Sequence, residues 1–491
     1  MKKAEVVLIP IPAMGHVVAL VEVAKLLVQR DDRLSTTVII MHPALDPSTT
    51  KYTESLAAST LPDRMRVVNL PNLESKTEDT NDLNWLTSII ESQKPHVEEY
   101  VSKMRTQSQL SPDSPQLAGF IFDTFATGMK DVANGFGVPW YAFSTSGAAF
   151  IGSMFYLQAL HDDEGVNLTE FKDSDALLEI PSLASPLPAK LLPSMVFKQE
   201  SLTIFLEHAR IMREARSILV NTFLEFESYA LHSLSNGKNP PVYPVGPIVK
   251  HVGDARDLPS DESKDIMEWL DDQPPSSVMF LCFGSWGSFC GKQVKEIACA
   301  LEHCGHRFLW SLRKPSSQKG KVESPSDYLN FQEILPEGFL DRTIKIGKVI
   351  GWAPQVEILA HPAVGGFASH CGWNSTLESV RFGVPVATRP LYAEQQFNAF
   401  QMVIDLGLAV EIKMDYRRDF LGDNEIIVSS EDIVKAIKHV MEEDGEVRKK
   451  VKEMSRISEK SLKDGGSSFS SLGRLIEDMI DNISEINCSK I

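Results

Sequence analysis

Between Trp352 and Gln395 the chain reads WAPQVEILAHPAVGGFASHCGWNSTLESVRFGVPVATRPLYAEQ. Within it an apolar run, Val364–Ala368, gives way to Ser369-His370-Cys371-Gly372, and a helix is expected to begin near Trp373-Asn374-Ser375. A helix that starts straight after a buried strand, through a glycine, presents unpaired N–H groups and the positive end of its dipole. Such a terminus is a ready site for a diphosphate, and His370 stands beside it as a further donor. Asn374 and Ser375 also read as plain helix caps, because their side chains satisfy free backbone N–H groups. Residue type alone leaves that choice open.

Two other residues stand at the ends of apolar runs. His16 follows Gly15 after the first run, and Asp123 closes LAGFIFD. Taken singly, a histidine in such a place reads as structural, and Asp123 reads as a cap or turn residue.

The elements that must position these residues alternate in kind. Glu5–Ile11 is β-rich and apolar, Val17–Gln29 has helical spacing, Thr36–Met41 is β-branched, and Leu117–Phe122 is another buried strand. A stretch rich in Pro, Gly and charge follows at Ser235–Ser263 and reads as a linker. The alternation then restarts: strand Ser277–Phe283, helix Gln293–Cys304, strand Arg307–Leu312, and strand segments at Lys348–Gly351, Val364–Ser369 and Pro385–Thr388. The tail from Ser430 onward is helical and charged. Apolar strands separated by amphipathic helices imply parallel sheets covered on both faces. Two such halves point to a cleft between them, with chemistry at the carboxyl ends of the strands.

What is missing narrows the reading. There is no GxxxxGK[ST] phosphate loop, no GxGxxG after a strand and no GxSxG elbow, so kinase, dehydrogenase and hydrolase readings lose their main support. A net charge of −17 leaves no basic face for nucleic acid and disfavours anionic membranes. The 43% hydrophobic content suffices for full cores in a 491-residue chain, which is long enough for two large domains. The six cysteines (Cys282, Cys290, Cys299, Cys304, Cys371 and Cys488) form no CxxC pair and suit a reducing compartment. His303-Cys304-Gly305-His306 reads as a helix ended by Gly305 rather than as metal ligands. Lys2-Lys3 and Val6–Met14 imitate a secretion signal, but Glu5, Pro10 and Pro12 interrupt it. No run of about 20 apolar residues follows, so no membrane span is expected.

The 44 positions from Trp352 to Gln395 resemble the defining block of the plant secondary-product UDP-glycosyltransferases, with Trp-Ala-Pro-Gln at its start, His-Cys-Gly-Trp-Asn-Ser within and Glu-Gln at its close. The similarity extends over the chain and includes Phe283–Ser285. It implies that Trp352 stacks on uracil, that the Ala353 backbone and Gln355 border it, and that Glu378 accepts from the ribose hydroxyls. His370, Asn374, Ser375 and Ser285 would hold the diphosphate, with Trp373 bordering the sugar. Glu394 and Gln395 would bind sugar hydroxyls, for which a carboxylate beside an amide supplies acceptors and donors. A closing Gln goes with glucose in this family. Arg389 departs from the more usual Trp; it either brings charge to the sugar end or pairs with a surface carboxylate.

The same resemblance makes His16 the catalytic base and Asp123 its partner, and brings Thr145 to the sugar. His16 would take a proton from an acceptor hydroxyl while Asp123 fixes its tautomer. The oxygen would attack the anomeric carbon opposite UDP, with inversion and without a metal or a tightly bound cofactor. Phe122, Phe125, Phe143, Phe150 and the Leu183–Met195 loop are candidates for the acceptor pocket, and each reads equally as core. The expectation is an α/β protein of two Rossmann-like domains facing across a cleft, the GT-B arrangement. An acceptor domain with the base would span 1–245, a linker 246–264 and a UDP-sugar domain 265–460. A helical tail, 461–491, would pack back on the first domain. The function expected is transfer of glucose from UDP-glucose to a small phenolic, flavonoid or terpenoid alcohol by a cytoplasmic monomer.

Overall fold

Ala4–Ile9 (AEVVLI) is buried at every position, without the alternation of a half-exposed strand. That pattern suits a strand covered on both faces in a parallel sheet. The computed structural model describes residues 3–42, 47–72, 84–111, 113–250, 261–316, 324–416 and 426–488. It places this strand, β1, inside a sheet of seven. The others are β2 (Leu34–Ile40), β3 (Met65–Asn69), β4 (Gln116–Asp123), β5 (Trp140–Ser144), β6 (Ile218–Val220) and β7 (Val242–Pro244). Their spatial order is β3-β2-β1-β4-β5-β6-β7, and every pairing is parallel. The order reverses between β1 and β4, where Ile9 lies opposite Phe122.

A second sheet holds β8 (Val278–Cys282), β9 (Arg307–Ser311), β10 (Gly347–Ile350), β11 (Val364–Ser369), β12 (Val386–Thr388) and β13 (Ala409–Glu411). It too is wholly parallel, in the order β10-β9-β8-β11-β12-β13. Counted from its own first strand this is 3-2-1-4-5-6, the dinucleotide-fold order, with its reversal between β8 and β11. Cys282 there lies opposite Ser369.

The first compact unit takes in Met1–Gly165, Glu200–Lys250 and Lys460–Ile491, and the second Val166–Gln199 and His251–Glu459. This division differs from a contiguous first domain over 1–245 in the segment Val166–Gln199. Within the second unit the Ala184 amide donates to Asp405 Oδ2 at 3.1 Å. Residues 251–260 of the expected linker lie outside the described residues.

In the first unit the helix Met14–Arg30 buries Val17, Leu20, Val21, Ala24, Leu27 and Val28, a stripe at helical spacing. The helix Ser467–Cys488 adds Leu472, Leu475, Ile476, Met479, Ile480 and Ile483 to the same core. Polar contacts fix it there: Asn482 Nδ2 donates to Tyr141 Oη at 2.7 Å, and Arg216 Nη2 to Asp478 Oδ1 at 2.8 Å. In the second unit the helix Gly291–Cys304 ends at Gly305, whose φ of 75° is left-handed, so the His303–His306 run is a helix terminus.

Candidate active site

His16 and Asp123 stand at the reversal point of the first sheet, and Ser285 and His370 at that of the second, each pair within its own unit. In the first unit β1 leads through Pro10–Ala13 into the helix Met14–Arg30, whose first turn carries His16. Asp123 ends the neighbouring β4 and is fully buried. His16 Nδ1 and Asp123 Oδ2 are 2.6 Å apart. The other carboxylate oxygen accepts the Phe125 amide at 2.9 Å and caps the short 3-10 helix Thr124–Met129. One oxygen of Asp123 thus meets His16 while the other caps the short helix. Thr145 Oγ1 lies 3.2 Å from the same Nδ1. Nδ1 can carry one proton, and the shorter contact to the carboxylate claims it, which makes Nε2 the basic nitrogen.

The four candidate aromatics separate. Phe125 is partly exposed and stands edge-on to His16, ring centroids 6.0 Å apart. Phe122 and Phe143 have no exposed surface; Phe122 packs between Phe120 and Trp140, and Phe143 belongs to the main core, so the sheet claims both. Phe150 is buried against Phe205. The Leu183–Met195 segment falls in the second unit, with Leu183, Leu187, Leu191 and Leu192 buried. His208, on the helix Gln199–Met212, was not among the sequence candidates, yet its ring meets the other side of this group: it lies edge-on to Phe125 at 5.5 Å.

In the second unit β11 ends at Ser369, and the helix Trp373–Phe382 begins after three intervening residues. Its N-cap is Gly372, and no side chain caps it. Asn374 and Ser375 sit inside the first turn, which corrects the capping alternative for both. Cys371 takes a φ of 62°, an uncommon conformation for a residue with a Cβ and one that clusters at binding sites. His370 is wedged between two glycines. A methyl on Gly284 would meet its Nε2 at 2.6 Å, and one on Gly372 would meet it at 2.5 Å. Burial pushes the imidazole down to about 4, so it is neutral. Its buried Nδ1 has no hydrogen-bond partner among the described residues, which fits a group that serves a ligand. Gly284 leads from β8 to Ser285, which is partly exposed.

Trp352 is 49% exposed, an unusual state for so large an apolar ring, while Ala353 is buried. Gln355 opens the helix Gln355–Ala360, and its amide donates to Ser375 Oγ at 2.8 Å and Glu378 Oε2 at 2.6 Å. Asn374 and Glu378 are partly exposed, whereas Trp373, Ser375, Thr376, Leu377, Ser379 and Val380 are buried, so the two share the open face of the helix. Glu394 is the N-cap of the helix Gln395–Phe400, following Ala393 at a φ of 54°. Gln395 is buried, and its Oε1 accepts the Leu391 and Tyr392 amides at 2.8 and 3.1 Å. Its oxygen thus shapes the loop, and only its NH2 end remains for a ligand. Asn398, which the sequence reading passed over, donates to the Cys371 carbonyl at 3.0 Å and joins this helix to the His370 turn.

Arg389 is 4% exposed, so its side chain lies inside the unit rather than on its surface. Its Nη2 donates to the Ile426 carbonyl at 2.9 Å, and the guanidinium lies over the Tyr416 ring at 4.5 Å.

The family described as "UDP-glucoronosyl and UDP-glucosyl transferase" matches residues 56–461, most of the chain. The chain belongs to this family. It is a UDP-glycosyltransferase of the plant type, and its fold class is the one expected, α/β with two Rossmann-like units. This glycosyltransferase is 55% identical over 487 residues to "UDP-glucose flavonoid 3-O-glucosyltransferase 6" of Fragaria ananassa, covering 97% of this chain and 99% of that one. Among solved structures it is similar to a UGT transferase from Siraitia grosvenorii in complex with UDP. That likeness has a TM-score of 0.86 and 45% identity, over 97% of this chain and 100% of the other. Medicago truncatula UGT71G1, complexed with UDP-glucose, follows with a TM-score of 0.83 and 36% identity, over 97% and 98%. Among the described residues of the glycosyltransferase no group of three His, Cys, Asp or Glu side chains is placed to hold a metal ion. None of its described helices is long and apolar enough to cross a membrane.

Proposed function

We propose that this glycosyltransferase moves glucose from UDP-glucose to a hydroxyl of a flavonoid or a related phenolic or terpenoid alcohol, with His16 as general base. The 2.6 Å contact between His16 Nδ1 and the buried Asp123 carries the reading. It leaves Nε2 to take the acceptor proton and places a carboxylate against the imidazolium that forms. The oxygen attacks the anomeric carbon from the face opposite UDP, so one bond forms as the other breaks and the configuration inverts. UDP departs with its new charge met by the N-terminus of Trp373–Phe382, the neutral His370, Asn374, Ser375 and Ser285. Trp352 supplies a stacking face for uracil beside Ala353, and Gln355 orients Glu378 toward the ribose. Trp373, Thr145, Glu394 and the amide end of Gln395 attend the sugar. Neither a metal nor a tightly bound cofactor enters this reading, which takes the enzyme as a cytoplasmic monomer with its acceptor domain over 1–245, linker 246–264, donor domain 265–460 and returning tail 461–491. Glucose and a flavonoid are supported by the name of the Fragaria relative.

The test is UDP release from UDP-glucose with and without a panel of flavonols, simple phenols and triterpene alcohols, beside the H16A protein. Acceptor-dependent release is expected, falling roughly 10²–10⁴-fold in H16A while UDP still binds. Retained turnover in H16A would sink the base assignment.

A further inference from the structure

His208 lies on the far side of Phe125 from His16, with Phe125 edge-on to both rings. Its Nδ1 lies 3.0 Å from Thr127 Oγ1, whose residue is fully buried, so this contact fixes the ring and satisfies a hydroxyl with no access to water. The ring is edge-on to Phe125, with centroids 5.5 Å apart and planes at 88°. Phe125 is in turn edge-on to His16, at 6.0 Å and 64°. One phenyl ring therefore has an imidazole on each of two sides, and each lies within 6.0 Å of it.

Both Phe125 and His208 are partly exposed, whereas Phe150 and Phe205, in contact with each other, are buried. The surface offered is an aromatic face flanked by His16 at one edge and by a second uncharged nitrogen heterocycle at another. Burial pushes His208 down to about 4, so at neutral pH it offers one N–H and one lone pair rather than a cation. Thr127 occupies Nδ1, and Nε2 is the edge left to meet a ligand.

We propose that His208 is a specificity-determining residue, whose Nε2 hydrogen-bonds a second oxygen of a polyhydroxylated planar acceptor while its ring packs on Phe125 and its reacting hydroxyl sits at His16. The inference rests on the transferase reading above and extends it to the acceptor's chemistry. It explains why a planar polyphenol, with oxygens at opposite edges, would suit this pocket better than a molecule with one hydroxyl. A polar group placed to pair with a substrate oxygen discriminates against the analogue that lacks it.

The experiment compares kcat/KM for a flavonol and for analogues each lacking one hydroxyl remote from the site of transfer, using the wild-type enzyme, H208F, H208Q and H208N. The wild type should favour the full flavonol over one analogue by roughly 3–15-fold, the worth of one neutral hydrogen bond. H208F should erase that preference, mainly through KM, and leave the KM for UDP-glucose unchanged. H208Q, whose amide reaches the Nε2 position, should restore much of it, and H208N should not. A preference unchanged in H208F, or lost equally in H208Q and H208N, overturns the proposal. Should H208F fail to fold, the Gln and Asn variants decide alone. A wild-type enzyme that transfers to none of the acceptors overturns the transferase reading itself, a result distinct from turnover without discrimination.

Discussion

With its Oδ1 held by the Phe125 amide, Asp123 can follow the imidazole only through Oδ2, and the two tasks separate on mutation. D123N keeps an acceptor oxygen for the cap but loses the charge that orients and stabilises His16. Its kcat should fall by roughly 10³–10⁴-fold with little change in melting temperature. D123A loses the cap as well and should be less stable than D123N by about 1 kcal/mol. Equal melting temperatures would place the cap elsewhere. Two other residues make the fold sensitive to acid. His208 and His370 are both pushed down to about 4 by burial, from an ordinary value of 6.5. Between those values the unfolded chain binds a proton that the folded chain refuses. The contribution of these two histidines to stability should therefore be constant above pH 6.5 and fall as pH drops toward 4. Urea titrations of wild type and H208Q at pH 7, 5.5 and 4.5 check the sign; the variant should lose less on acidification. A parallel fall in both proteins would remove His208 from the account.

At the scale of elements, the strand-to-helix turn around His370 works because two glycines let backbone close on an imidazole. Gly372 has a φ of −60°, which alanine tolerates, so G372A isolates the crowding of His370 from any backbone strain. It should lower UDP affinity at least tenfold and cost about 1–3 kcal/mol of stability through overpacking; calorimetric titration with UDP reads the first and thermal melting the second. Unchanged UDP affinity would detach this turn from the donor site. Much of this element was legible beforehand. FASHCG announces a buried strand that stops at polar residues and glycine, and LAGFIFD does the same for Asp123. His208 and Asn398 were not legible, because each is one of several polar residues on its helix and none of its sequence neighbours sets it apart. Their partners, Thr127 and Cys371, lie 81 and 27 residues away, and nothing local marks them. The Arg389 contact to the Ile426 carbonyl was hidden for the same reason, since that partner lies 37 residues away.

For the whole molecule, alternating apolar strands and amphipathic helices foretold two parallel sheets, but not where every segment would pack. Val166–Gln199 joins the second unit although it lies far upstream of the second sheet's strands. Its leucines and prolines have no periodicity that would name the core receiving them. The helix Ser467–Cys488 gives the opposite case, a clear amphipathic stripe whose destination is the sheet formed by the earliest strands. M479A, which empties a fully buried position of that stripe, should cost about 2–4 kcal/mol. Hydrogen exchange in β1 and β4 is the measurement, and undiminished protection there would contradict the packing.

That same helix sets a schedule for synthesis. By the time Lys250 has been made, every strand of the first sheet exists, yet the groove that receives Leu475 and Met479 has no occupant. At ~5–20 residues per second the ribosome needs roughly 10–40 s more to reach Ser467. Throughout that interval an apolar surface belonging to a nearly finished domain is open to whatever else is in the cell. A nascent chain of this kind is expected to need chaperones until its translation is almost over, and termination anywhere before Ser467 should destabilise the part already built.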